Sequence, residues 1–148
     1  MFDDLRDLYQ ETILDRGRRP RHATRLGAFD ATAKGDNPMC GDRCQVWLRR
    51  TPDGILDEVG FEARGCAISV ASADLMVEAV HGLDADATRH LAERFRMLAT
   101  TGAADGAALD ALRPLAGVHE YPSRVKCATL PWNALVAALN DDKEASSE

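Results

Sequence analysis

Cys44-Gln45-Val46-Trp47-Leu48-Arg49-Arg50, followed by Thr51-Pro52-Asp53-Gly54 and then by Ile55 through Arg64, is the stretch that decides the fold. The first run is short and rich in residues that suit a pleated surface, so it reads as a strand. The next four residues carry proline and glycine where a tight turn needs them. In the last run Val59, Phe61 and Ala63 alternate with Glu58, Glu62 and Arg64, the period-two pattern of a half-buried strand. The three pieces together predict a β-hairpin. Beyond Gly65-Cys66 the pattern turns helical, with small and apolar residues from Ala67 to Val80 and a stop at His81-Gly82. Cys66 is therefore expected at a helix N-terminus.

Working outward, Asp84 can cap a further helix running through Leu98, and Thr100 to Gly106 reads as a loop. Ala107 to Leu115 reads as a short helix ahead of Gly117. Pro122 breaks the chain before Cys127, and Trp132, Leu135, Val136 and Leu139 form the apolar stripe of a last helix, with Pro131 in its first turn. On the other side, Phe2, Leu5, Leu8, Tyr9 and Ile13 recur at helical spacing, which predicts an amphipathic helix over Phe2 to Leu14. Arg16 to Asn37 is rich in Gly, Arg and Pro and reads as a long loop, with Asn37-Pro38 extended just before Cys40. No internal repeat is present.

The 148 residues suit one domain, expected over 1–139, because a single core can serve a chain of this length. From Asn140 to Glu148 the chain is polar and acidic without periodicity, so a disordered tail is expected there. Hydrophobic residues make up 45% and charged residues 28%, which is ordinary for a folded domain. A net charge of -6 argues against nucleic-acid binding, which needs a concentrated basic surface. The one basic run, Arg16-Gly17-Arg18-Arg19-Pro20-Arg21-His22, reads as a solvated loop or as a docking patch for an acidic partner surface. Neither a signal-peptide core nor a membrane-spanning run is read, so a cytoplasmic protein is expected. Reduced cysteines in that compartment point to metal binding or catalysis rather than to disulfides.

Cys40-Gly41-Asp42 lies where a loop becomes a strand, Gly65-Cys66 where a strand becomes a helix, and Cys127 where the last helix is expected to begin. Such ends can converge at one edge of a sheet, and helix-start N–H groups stabilise thiolates. Gly41 and Gly65 would let the backbone approach two of the cysteines closely. Three thiolates and one carboxylate suit tetrahedral zinc. An aspartate ligand further suggests an exchangeable coordination position rather than a closed structural staple.

Three segments carry a resemblance: Asn37-Pro38-Met39-Cys40-Gly41-Asp42-Arg43, Gly65-Cys66-Ala67-Ile68-Ser69-Val70-Ala71-Ser72-Ala73, and Arg124-Val125-Lys126-Cys127-Ala128-Thr129-Leu130-Pro131-Trp132. In order and nearly from end to end, the chain resembles the SufU group within the IscU-like family of iron–sulfur cluster assembly proteins. Leu8-Tyr9 and the extra stretch before the last cysteine fit that group as well. The resemblance implies an α+β fold, a small antiparallel β-sheet packed by about five helices. It implies a zinc-dependent sulfurtransferase role, taking persulfide sulfur from a cysteine desulfurase, a SufS-like pyridoxal-phosphate enzyme, and passing it toward iron–sulfur cluster assembly proteins. It implies Cys40, Asp42, Cys66 and Cys127 as zinc ligands, with Cys40 the sulfur acceptor once a histidine of the desulfurase displaces it. Arg124 matches a position beside the site, where a guanidinium can pair with a carboxylate or a persulfide. The chain departs from IscU at Lys126, where IscU has histidine, and lacks its Leu-Pro-Pro-Val-Lys chaperone motif, which weakens the chaperone-assisted scaffold reading.

Two other functions use the same residues: a scaffold holding a transient iron–sulfur cluster, since thiolates suit iron too, and an interaction module with a structural zinc. Cys44 shares strand parity with Asp42 but also with Val46 and Leu48, so it reads better as a small buried hydrophobe than as a ligand. His22, His81, His90 and His119 lie far from the cysteine motifs in sequence and read as surface or capping residues. Trp132 reads as core.

Overall fold

The computed structural model describes residues 11–38 and 41–146. Four strands, β1 (Ala31–Asn37), β2 (Asp42–Arg50), β3 (Leu56–Arg64) and β4 (Glu144–Ser146), form one sheet in the order β3-β2-β1-β4. The expected hairpin is β2 and β3, antiparallel, with Val46 opposite Phe61 and Leu48 opposite Val59. Its turn is closed by the Thr51 and Gly54 amides, which donate to the Ile55 and Thr51 carbonyls. Asp42, Cys44, Val46 and Leu48 alternate on the buried face of β2, as period two requires. Trp47, on the other face, is also buried, with the Arg25 guanidinium 5.5 Å from its ring centroid.

Five helical segments lie among the described residues: α1 at 11–18, α2 (Ala67–Val80), α3 (Ala85–Thr101), a 3₁₀ segment (Ala107–Glu120) and α4 (Pro122–Leu139). Helix α4 packs on β1 and β2, and α2 packs on β3 and α4. Asp84 caps α3 as expected, its carboxylate accepting the Ala87 N–H at 2.8 Å. Along α3, Leu91, Phe95 and Leu98 are buried, and Phe95 stacks on Trp132 of α4 at 4.8 Å.

Several expectations are corrected. The presumed loop from Arg16 to Asn37 contains the end of α1 and all of β1. Ala-Thr-Ala-Lys-Gly-Asp-Asn carries little strand propensity; its backbone is ordered by pairing with β2, Ala31 opposite Leu48 through Asn37 opposite Asp42. Small side chains are needed there because α4 presses on the strand: a Cβ at Gly35 would lie 2.9 Å from Leu130 Cδ1. Within the expected tail, β4 pairs parallel to β1, Lys34 opposite Glu144, so the sheet is mixed rather than wholly antiparallel. Backbone pairing to a strand edge needs no apolar side chain, which is why composition was silent.

The short helix expected over Ala107 to Leu115 is a 3₁₀ segment reaching Glu120. Leu109, Leu112, Leu115 and Val118 are buried at strict three-residue spacing, and three residues per turn keep them on one face. The last helix begins at Pro122, so Cys127 and Pro131 lie inside it rather than at its start. The expected Phe2–Leu14 helix lies outside the described residues except for its end; residues 11–18 are helical and Ile13 is buried.

Candidate metal centre

Three of the four residues singled out by the motifs come together. One ligand atom each from Asp42, Cys66 and Cys127 lies within 4.8 Å of the others. Asp42 is the first residue of β2, Cys66 caps α2, and Cys127 lies in the second turn of α4. Asp42 and Cys127 are fully buried and Cys66 is half-buried, so the cluster opens outward past Cys66. Cys40 lies outside the described residues. Cys44 is in the core, away from the cluster, and burial pushes its thiol up to about 12, which leaves it a neutral hydrophobe. No histidine joins the cluster among the described residues. His22 pairs with Glu78 and His119 with the Ala116 carbonyl.

The Asp42 carboxylate is held by neutral donors. Its Oδ1 accepts the Cys66 backbone N–H at 2.9 Å, and its Oδ2 accepts from the Ser69 hydroxyl at 2.9 Å. Gly65 makes this possible: it takes φ +134°, and a Cβ there would run into the carboxylate. Gly41 differs, since no described atom lies within 4 Å of where its Cβ would stand; its φ of +72° is the reason for glycine. The expectation of close approach holds at Gly65 and not at Gly41.

The Cys66 thiol is tuned toward ligation. Cys66 is lowered to about 6, chiefly by a hydrogen bond from Cys127, against its partial burial and with help from the Ser69 amide. Arg124 is exposed above the pair, and its guanidinium is held further into the charged form by the Cys66 sulfur first, then by its hydrogen bond to Cys127. The basic run is partly spent internally: Arg16 reaches Asp74 and Glu78, and Arg21 reaches Asp15.

The motif reading missed Ser69. Its hydroxyl also lies 3.1 Å from the Cys127 carbonyl, as a donor, and 3.8 Å from the Cys66 sulfur. The signal was present: Ser69 and Ser72 interrupt an apolar helix at a spacing of three, which puts both on one face. Ser72 donates to the Ala128 carbonyl at 2.6 Å, so the two hydroxyls stitch α2 to α4.

Two thiols and a carboxylate of this kind suit a divalent ion such as zinc, and a buried carboxylate with no cationic side chain on it among the described residues is costly without one. Fold and site together define a small α+β domain built around a thiolate–carboxylate cluster. The chain belongs to the NifU-like N-terminal domain family, whose model matches residues 8–144. It is 35% identical over 133 residues, 89% of each chain, to the zinc-dependent sulfurtransferase SufU of Bacillus subtilis. It is 34% identical to the iron–sulfur cluster assembly scaffold protein IscU of Streptococcus pyogenes, over 95% of this chain and 88% of that one. Among solved structures it matches a protein described as a cluster assembly scaffold for the SUF system, from Fervidobacterium islandicum. That match has a TM-score of 0.83 and 28% identity, and covers 90% of this chain and 97% of the other. The resemblance read from the three motifs is borne out. No helix among the described residues is long and apolar enough to cross a membrane.

Proposed function

We propose that the chain is a zinc-dependent sulfur acceptor and carrier. It takes persulfide sulfur from a partner cysteine desulfurase, a SufS-like pyridoxal-phosphate enzyme, and delivers it to downstream iron–sulfur cluster assembly proteins. The observation that carries this reading is the convergence of Asp42, Cys66 and Cys127 within 4.8 Å, from the start of β2, the N-cap of α2 and the second turn of α4. The name of the Bacillus subtilis relative points the same way. Cys40 supplies the fourth ligand: it precedes Asp42 by two residues, and two residues of chain reach no more than about 7 Å. Zinc bound there would keep the cysteines deprotonated and shield their charge.

Cys40 is the acceptor. Its thiolate attacks the outer sulfur of the donor's protonated persulfide; a Cys40 S–S bond forms, the donor's S–S bond breaks, the proton stays on the transferred sulfur and the donor cysteine leaves as thiolate. Arg124, already paired electrostatically with Cys66 and Cys127, orients the incoming persulfide and stabilises the donor thiolate as it leaves. Asp42 stays behind as a hard ligand while one sulfur is released. Cytoplasmic location goes with this chemistry, which needs reduced thiols.

The test is elemental analysis of protein purified without oxygen, with a desulfurase assay on Cys40, Asp42, Cys66 and Cys127 variants. About one zinc per chain, a rise in sulfide or alanine release, and loss of that rise in Cys40→Ala are expected. If Cys40→Ala stimulates the desulfurase as well as the unchanged chain does, the proposal fails. The names of the Streptococcus pyogenes and Fervidobacterium islandicum relatives favour a second reading, a scaffold holding a transient cluster on the same residues. Visible absorbance with bound iron and sulfide, in place of zinc, would select it.

A further inference from the structure

We propose that Ser69 is a positioning residue whose one hydroxyl proton is shared between Asp42 Oδ2 and the Cys127 carbonyl, and that this proton sets how tightly Asp42 holds a metal. The inference rests on the metal reading above and adds to it.

Pro131 lies in the interior of α4 and has no N–H. The carbonyl four residues earlier, that of Cys127, therefore receives no helical amide from position 131. A buried carbonyl needs a donor, and Ser69 Oγ stands 3.1 Å from it. The same oxygen stands 2.9 Å from Asp42 Oδ2. A hydroxyl carries one proton, so a full bond to one acceptor is given up at the other. Ser69 is itself fully buried, at 1% exposure, and water does not substitute freely. With Oδ1 taken by the Cys66 amide, the Ser69 bond at 2.9 Å is the short one on the second oxygen, which the Cys66 thiol reaches at 3.7 Å, and it aims the remaining lone pairs of the carboxylate. Groups that hold a ligand from behind in this way typically change metal affinity about 10- to 100-fold. The proline in one helix and the serine in another thus form one device: the gap that Pro131 leaves draws on the proton that orients Asp42.

The test is zinc affinity by competition with a chromogenic chelator, with far-UV circular dichroism to check the fold. Ser69→Ala is expected to weaken zinc binding about 10- to 100-fold. In an Asp42→Ala background the same change is expected to have no further effect, because the group being positioned is gone. Pro131→Ala restores an amide donor to the Cys127 carbonyl, so a Pro131→Ala/Ser69→Ala chain keeps its fold without the hydroxyl; because the hydroxyl of Pro131→Ala then serves Asp42 alone, the gap in affinity between these two chains should be at least as large as that between Ser69→Ala and the unchanged chain. Equal affinity of folded Ser69→Ala and unchanged chain, or a gap that vanishes in the Pro131→Ala pair, overturns the inference while leaving the metal reading standing. An unchanged chain that takes up no zinc overturns both.

Discussion

Two aspartates, Asp42 and Asp74, are both fully buried, and the structure treats them oppositely. Asp74, in the middle of α2, is answered completely: Arg16 Nη1 stands 2.7 Å from Oδ2, and the amides of Arg21 and His22 each donate to Oδ1 at 2.8 Å. One carboxylate thereby anchors the end of α1 and the segment after it onto α2. Asp42, at the mouth of the same helix, receives one amide and one hydroxyl and faces two thiols. Positive charge is built in at one and must arrive from outside at the other. The difference separates a carboxylate that holds the fold from one that stands where the proposed ion would bind.

The largest effect that can break this comparison is at Asp74. Asp74→Ala leaves two part-buried amides without their acceptor and Arg16 with Glu78 alone, and a loss of about 3 kcal/mol is expected in urea unfolding of the metal-free chain. A loss under about 1 kcal/mol would remove Asp74 from its structural role. Gly65→Ala comes next. It forces a side chain to φ +134° and into the Asp42 carboxylate, so about 2 kcal/mol and most zinc binding should go together. Loss of stability with zinc affinity intact would show that Gly65 serves the turn and not the site.

Asp42→Asn sharpens the contrast from the other side. Asparagine keeps an acceptor for the Cys66 amide, so the metal-free chain should stay within about 1 kcal/mol of the unchanged one, while zinc affinity falls at least about 10-fold. Destabilisation as large as at Asp74 would make the two carboxylates alike. The smallest effect is in pH dependence. Arg16 hydrogen-bonds Glu78 and holds its carboxyl below the ordinary range. The stabilisation is complete above the unfolded value, near about 4.3, and is lost as pH falls through the lower folded value. Glu78 is partly exposed, so the slope is modest and weakens with salt. Unfolding midpoints between about pH 3 and 6 should show a shallower acid slope in Glu78→Gln, which removes the titrating group and leaves the Arg16–Asp74 pair in place.

Much of the site was legible because its signals are local. Gly65-Cys66 marks the change from period two to helical spacing, and that change alone predicts a cysteine at a helix start. Cys44 was readable as core from its parity with Val46 and Leu48. Ser69 stood in a quoted motif with no role, since its partners, Asp42 and the Cys127 carbonyl, are 27 and 58 residues away. Position 131 was misplaced into a first turn because an interior proline is normally a breaker; in α4 it is tolerated where Ser69 answers the carbonyl it leaves.

The order of residues determined the hairpin, the capped α3 and the helix that follows Cys66, because turn chemistry, capping and periodicity act within a few neighbours. Tertiary structure decided that Ala31–Asn37 is a strand, that Ala107–Glu120 winds as 3₁₀, and that Asp74 is answered by Arg16 while Asp42 is not. Those outcomes depend on which distant backbone and which distant charge come to lie alongside, and no short stretch of sequence contains its own partner.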